Sequence, residues 1–263
     1  MQPYMPKFTA PKAPPKEEYR LGLSSLAFRG NTQREILEAM RASDLRYIEW
    51  ASDPHAPYRS CGMLSELSKL QAQYGVSCSS YRTAFRLGET PTSDLHYYIE
   101  AARTLGTDVI SLWGGRSCAK TLSLYEMDNF MEACWRAADI AEKESVKLSL
   151  ECHANTFTER LEDALMLMDN VDSDKFRIHW QPFRFLSAEE NLKYLKKAES
   201  FVEHIRVFNS SPDGAHALSL DIPTWQCYLA KLTHPRLLLI EQTPDRLLTS
   251  LGAEVEALRE IVK

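Results

Sequence analysis

The chain has 263 residues, of which 44% are hydrophobic and 25% are charged, an ordinary balance for a globular protein. Its net charge of -5 argues against a nucleic-acid surface, and the sequence has no apolar run long enough to span a membrane. The six cysteines form no CxxC pair, so we expect free thiols and a cytoplasmic protein.

Residues 1–19 predict a short flexible arm in front of a single domain, residues 20–263. Five prolines stand among several lysines in this segment, and it lacks the apolar stretch of a secretory signal. No change in composition marks a linker further along the chain. A chain of this length is compatible with one α/β barrel.

Eight short apolar runs predict β-strands, and longer amphipathic stretches lie between them. The predicted strands are Leu21–Phe28, Leu45–Trp50, Val76–Tyr81, Asp108–Trp113, Val146–Glu151, Phe176–Gln181, His204–Asn209 and Leu237–Glu241. Predicted helices include Thr32–Ala42, Leu124–Ser145, Thr158–Asn170 and Ala253–Val262. Two capping-box pairs, Thr32 with Glu35 and Ser187 with Glu190, mark helix starts.

The alternation of strand and helix predicts a parallel sheet, and eight such units favour a closed (β/α)8 TIM barrel. An open, doubly wound sheet is the competing architecture. Such a sheet usually carries a GxGxxG loop after its first strand, where this chain instead has Phe28–Arg29–Gly30–Asn31–Thr32.

Two glutamates end apolar strands in which a carboxylate has no packing role. Glu151 ends the fifth strand and Glu241 ends the eighth, and strand alternation places His153 on the same face as Glu151. Barrel enzymes carry their chemistry at the carboxyl ends of the strands, and a buried carboxylate needs a cation, a metal or a donor. Either glutamate alone fits a structural ion pair, whereas the two together favour an active site.

Six segments, in chain order, resemble the strand motifs of the xylose-isomerase-like sugar phosphate isomerases and epimerases. They are YIEWASDPHAP at Tyr47–Pro57, SLWGGRS at Ser111–Ser117, KLSLECHANTFTE at Lys147–Glu159, IHWQPF at Ile178–Phe183, HIRVFN at His204–Asn209 and LLLIEQ at Leu237–Gln242. The resemblance covers almost the whole chain after the arm. It implies a TIM barrel that acts on a small-molecule carbohydrate, and barrels of this family often pair as homodimers.

In that family one divalent metal polarises the substrate, and two glutamates move a proton next to a carbonyl. The resemblance therefore implies that Glu151 and Glu241 are catalytic, and that they bind Mn, Zn or Mg together with Gln181. The candidate substrate-binding residues are His153, Arg206, Trp113, Asp53, His55 and Asn209. The mouth loops also carry Arg82, Arg86 and Arg116, which would suit a phosphorylated sugar.

Two positions depart from the family pattern. Gln181 stands where the family usually has Asp, and Arg206 stands where it has a His ligand. A guanidinium cannot bind a metal. Two hypotheses follow: His153 completes a metal site, or Arg206 lies between Glu151 and Glu241 in the metal's place.

The leading functional hypothesis is a sugar, sugar-acid or sugar phosphate isomerase or epimerase. A dehydratase or lyase could use the same enediolate intermediate, and a catalytically silent sugar-binding barrel is the third reading. DNA-repair chemistry of the kind found in a related family is disfavoured. That chemistry uses several metals, and the predicted mouth lacks the clustered ligands they require.

Overall fold

The computed structural model describes residues 18–211 and 213–263 of the chain. Its strands are β1 (Arg20–Ser24), β2 (Tyr47–Ala51), β3 (Ser77–Arg86), β4 (Val109–Trp113), β5 (Lys147–Glu151), β6 (Phe176–Trp180), β7 (Val202–Val207), β8 (Asn209–Ser211), β9 (Gly214–His216) and β10 (Leu237–Ile240). Eight of them close into a parallel barrel in the order β1-β10-β7-β6-β5-β4-β3-β2, and β8 and β9 form a small antiparallel hairpin. The predicted (β/α)8 barrel is confirmed.

In the described residues, eight α-helices surround the barrel. They are α1 (Gln33–Ala42), α2 (Cys61–Gln73), α3 (Leu95–Leu105), α4 (Leu124–Glu144), α5 (Leu161–Val171), α6 (Ala188–Ala198), α7 (Ile222–Leu229) and α8 (Leu251–Ile261). Both predicted capping boxes are present, at the start of α1 and of α6. In the part of the chain that the structure describes, no helix is long and apolar enough to cross a membrane.

Each predicted strand overlaps a barrel strand, but some ends differ. β1 stops at Ser24, where a 3-10 turn over Ser25–Phe28 replaces the rest of the predicted strand. The predicted helix that starts at Thr158 begins instead at Leu161. The reason is that the Thr158 hydroxyl donates to the Glu151 carbonyl and holds the preceding turn against the end of β5.

The start of the chain is described only in part. Residues 1–17 of the predicted arm lie outside the described residues. Within the described part of that arm, the Tyr19 hydroxyl donates to the Leu229 carbonyl over 3.2 Å, so the chain contacts α7 just before β1. Gly22 then lets β1 approach β2, because a Cβ atom at this position would lie 2.5 Å from the Tyr47 carbonyl oxygen.

The barrel has an apolar outer layer and a polar interior. Outward side chains of the strands pack under the helices, and Trp50 of β2, Trp180 of β6 and Trp225 of α7 are fully buried in this layer. The interior of a barrel is usually filled by Val, Ile and Leu. In this chain it is lined by buried polar side chains that are linked to one another, namely Ser24, Glu49, Ser80, Arg82, Ser111, Ser149, Glu151, His179, His204 and Arg206.

Candidate active site

A fully buried arginine occupies the centre of the barrel. Arg206 Nη2 donates to the two carboxylate oxygens of Glu49 over 3.0 and 3.1 Å. Its Nη1 lies 2.9 Å from Glu151 Oε2, and its Nε lies 3.0 Å from Glu241 Oε2. One guanidinium therefore contacts three carboxyl groups, which come from the middle of β2, the end of β5 and the residue after β10.

Burial and charge act against each other in this cluster. Burial alone would raise the pKa of the Glu49 and Glu151 carboxyls, but it is outweighed by Arg206 acting together with His179 and Arg82 at Glu49 and with Arg82 at Glu151. The pKa of Glu151 is therefore lowered, and that of Glu49 lies well below its usual value. Although burial lowers the pKa of Arg206, the glutamates raise it well above the ordinary value, so this side chain remains a cation.

A second arginine covers the cluster towards the mouth. Arg82 Nη2 donates to Glu151 Oε2 over 2.8 Å, and Arg82 Nη1 donates to Glu241 Oε1 over 2.7 Å. The side chains of Glu49, Glu151 and Arg206 are completely buried, whereas 9% of Arg82 and 10% of Glu241 is exposed. Arg82 and Glu241 are therefore the part of the cluster that a small molecule can reach.

Two histidines lie beneath the charged cluster. His179 Nε2 is 3.2 Å from Glu49 Oε2, and its Nδ1 is hydrogen-bonded to Ser149 Oγ. The His204 ring meets the His179 ring edge-on at 4.9 Å. Burial, followed by the charge of His179, lowers the pKa of His204 to about 4.

The low pKa of His204 predicts a loss of stability in mild acid. An unfolded His titrates near 6.5, so the unfolded state binds the extra proton between about pH 6.5 and 4, while the folded state does not. The contribution of His204 to the free energy of unfolding is complete above pH 6.5. We expect about 2 kcal/mol of this free energy to be lost between pH 7 and pH 5. Urea unfolding at the two pH values measures this loss. The pH dependence should be smaller in His204→Gln and unchanged in His216→Asn, and an equal dependence in all three proteins would contradict the assignment.

A cavity of about 340 Å³ opens at the carboxyl ends of the strands, above Arg82 and Glu241. Its other lining side chains include His153, Gln181, Phe183, Arg184, Phe185, Phe208 and Gln242. His153 Nδ1 is 2.8 Å from the Ala154 carbonyl oxygen, and the His153 ring meets the Trp113 ring at 5.0 Å. The volume lies at the lower end of the range for small-molecule sites.

Of the six predicted substrate-binding residues, His153 alone lines this cavity, because Arg206 is buried beneath it and Trp113 packs against the His153 ring outside the lining. The other three lie further from it. His55 is buried, with Nδ1 3.1 Å from Ser25 Oγ and Nε2 3.1 Å from the Asn31 carbonyl oxygen, so it holds loops together. Asp53 forms an exposed ion pair with Arg29. Asn209 donates to the Ala217 carbonyl over 2.9 Å and braces the hairpin. None of the three lines the mouth cavity, because local hydrogen bonds or a local ion pair engage each side chain.

The predicted ligands Glu151, Gln181 and Glu241 do not fit a divalent metal. The guanidiniums of Arg82 and Arg206 contact both carboxyl groups, and their positive charge would repel a cation placed between them. Among the residues that the structure describes, no group of three or more His, Cys, Asp or Glu side chains is arranged to hold a metal. We therefore assign no chemical step to one.

Sequence reasoning did not select Glu49, and it treated Arg82 only as a phosphate-binding candidate. A signal for Glu49 was available. Like Glu151, it is an acid in an apolar strand, at a position where alternation directs the side chain inward. For Arg82 no such signal exists, because its partners lie 69 and 159 residues away along the chain.

The sequence profile of the xylose isomerase-like TIM barrel family matches residues 37–217, which is more than half of the chain. The chain belongs to this family. No curated protein matches it. Family membership agrees with the closed barrel and with the mouth cavity at the carboxyl ends of its strands.

Solved structures with this fold are similar over nearly their whole length. The probable 3-DHS dehydratase AsbF, involved in petrobactin synthesis in Bacillus anthracis, is 15% identical with a TM-score of 0.73, over 91% of this chain and 98% of that one. A xylose isomerase-like TIM barrel protein from Mycobacterium smegmatis, in complex with magnesium, is 14% identical with a TM-score of 0.69. The match covers 93% of this chain and 95% of that one. A xylose isomerase domain protein from Planctomyces limnophilus is 13% identical with a TM-score of 0.68. The match covers 94% of this chain and 99% of that one. At identities this low, the structural similarity establishes the shared fold alone.

Proposed function

We propose that this family member is a sugar isomerase or epimerase that moves a proton at the carbon next to a carbonyl without using a metal. One observation carries the proposal. The accessible edge of the buried charge cluster, formed by Glu241 and Arg82, opens into the same cavity as His153. One small-molecule site is therefore lined by a base, Glu241, by a fixed cation, Arg82, and by a second titratable group, His153.

In the proposed reaction Glu241 takes a proton from the carbon next to the substrate carbonyl. The electron pair of the broken C–H bond forms the enediolate, and negative charge develops on the former carbonyl oxygen. Arg82 uses two of its five N–H donors on Glu151 and Glu241, so the remaining donors are available for this oxygen. A fixed cation in a site with little water stabilises such charge strongly.

His153 is the proposed second proton-transfer group. With Nδ1–H donating to the Ala154 carbonyl, Nε2 carries the lone pair. For isomerisation, Glu241 returns the proton to the former carbonyl carbon, and the proton of the neighbouring hydroxyl moves to the former carbonyl oxygen, so that the new carbonyl forms at the neighbouring carbon. For epimerisation, His153 takes up a proton from solvent at Nε2 and delivers it to the opposite face of the same carbon, and Glu241 passes the proton that it took to solvent. Glu151 is buried beneath Arg82, so in this proposal it is a positioning residue that holds the two arginines.

The proposal is tested by following deuterium incorporation from D₂O into a panel of aldoses, ketoses, sugar acids and sugar phosphates. Deuterium should appear at the carbon next to the carbonyl, and the rate should be the same before and after treatment of the protein with EDTA. Exchange that requires added Mn, Mg or Zn would refute the assignment to the arginines. Loss of water from the exchanging substrate would identify a dehydratase, and absence of exchange throughout the panel would favour a catalytically silent barrel.

A further inference from the structure

We propose that Arg184 makes the mouth cavity selective for an anionic substrate, one that carries a carboxylate or a phosphate in addition to its hydroxyl groups. This inference rests on the proposed function, because it names the substrate class of the same site. It starts from a cation at the rim. Arg184 lies in the loop between β6 and α6, and its exposed side chain lines the cavity.

The charge of Arg184 is not balanced by a neighbouring acid. Its Nη2 donates to the neutral amide oxygen of Gln242 over 3.1 Å, and its guanidinium carbon lies 5.9 Å from the centre of the Phe208 ring. Within residues 18–211 and 213–263, no carboxylate lies within ion-pair distance of it. One N–H is used on Gln242, so four donors remain free for a ligand.

The backbone that carries Arg184 is fixed by a buried asparagine. The Phe183 amide donates to Asn191 Oδ1 over 2.7 Å. Asn191 Nδ2 donates to the carbonyls of Phe183 over 3.0 Å and Leu186 over 3.2 Å. These bonds tie both sides of the Arg184 loop to α6. A preorganised loop loses less conformational freedom on binding, so more of the charge attraction appears as affinity.

The remaining wall of the cavity fits the same kind of ligand. Glu241 is paired with Arg82, which leaves Arg184 as the uncompensated charge of the lining. Gln181 and Gln242 are neutral amides that can donate to hydroxyls and accept from them. A guanidinium binds the two oxygens of a carboxylate or a phosphate in parallel, which a neutral sugar cannot match.

The test compares three ligands by isothermal titration calorimetry at low salt, namely D-gluconate, D-glucose 6-phosphate and D-glucose. At least one anion should bind about tenfold or more tightly than glucose, which corresponds to about 1.4 kcal/mol. Arg184→Gln should remove that difference and leave glucose binding unchanged. Arg41→Gln, which removes the same charge from the exposed face of α1, should retain the anion preference.

The anion with the higher affinity identifies the substrate as a sugar acid or a sugar phosphate. Equal affinity for glucose and both anions, no binding of either anion at millimolar concentration, or an anion preference that survives Arg184→Gln would each overturn the inference. Binding is measured without turnover. If the protein preferred anions but catalysed no deuterium exchange, the proposed function would be rejected and the anion selectivity retained. If exchange were restricted to neutral sugars, the anion selectivity would be rejected and the proposed function retained.

Discussion

Replacing Arg206 by Met is expected to lower the free energy of unfolding by about 3–5 kcal/mol, the usual cost of removing one partner from a buried ionic network. Met has a similar length but no charge. Glu49 and Glu151 are completely buried and would lose the guanidinium that keeps their pKa low. Each must then remain charged without its main partner or take up a proton, and both outcomes favour the unfolded state.

Urea unfolding of the wild type and Arg206→Met at pH 7 measures this loss. Arg136→Met is the matched control, because Arg136 is 66% exposed on α4 and forms an ordinary surface ion pair with Glu132. We expect that control to change stability by less than about 1 kcal/mol. Adding Glu49→Gln to Arg206→Met should recover part of the loss. A loss below about 1 kcal/mol for Arg206→Met would show that the carboxyls do not depend on this cation.

The fold could be predicted because its signals are local. Each strand is a short apolar run, and the capping boxes at Thr32 and Ser187 mark helix starts within four residues. The count of eight units then selects the closed barrel. The start of a predicted helix was less accurate where a side chain bonds to a distant backbone group, as Thr158 does to the Glu151 carbonyl ahead of α5.

The site could be predicted only in part, because its contacts join distant strands. Glu151 and Glu241 were selected from strand position and Arg206 from the family pattern, and the hypothesis that placed Arg206 between the two glutamates matches the observed geometry. His55 was predicted to bind substrate at the mouth, but the structure places it between two loops away from the cavity. Its two ring nitrogens meet the Ser25 hydroxyl and the Asn31 carbonyl, and loop conformation decides that pairing.

Strand alternation explains why the full set of contacts that the two arginines make could not be derived from the sequence. Alternation states which face a residue occupies, but it does not state how far a long side chain extends along the barrel axis. Arg206 is the penultimate residue of β7, opposite Leu239, and its Nε lies 3.0 Å from Oε2 of Glu241, which follows β10. Arg82 lies within β3 and reaches both Glu151 and Glu241. Long flexible side chains therefore close the cluster in a way that the sequence does not specify.

Glu241→Gln is expected to reduce deuterium exchange about 1,000-fold, within the range usual for loss of a general base. The amide cannot accept the proton, but its oxygen can still accept the hydrogen bond from Arg82 Nη1. The amide NH2 would then face Arg206 Nε in place of Oε2, so we expect the fold to be kept with a modest fall in melting temperature. The exchange rate with the best substrate of the panel and the thermal transition are measured on the same preparation.

Two further variants separate catalysis from structure at this site. Glu256→Gln makes the same chemical change on the exposed face of α8 and should leave both the exchange rate and the melting temperature unchanged. Glu151→Gln should lower stability as well as exchange, because Glu151 is buried between Arg82 and Arg206. If Glu241→Gln retained more than about a tenth of the exchange rate, Glu241 could not be the base. In that case His153 would be the remaining candidate in the cavity, and His153→Gln would be expected to abolish exchange instead.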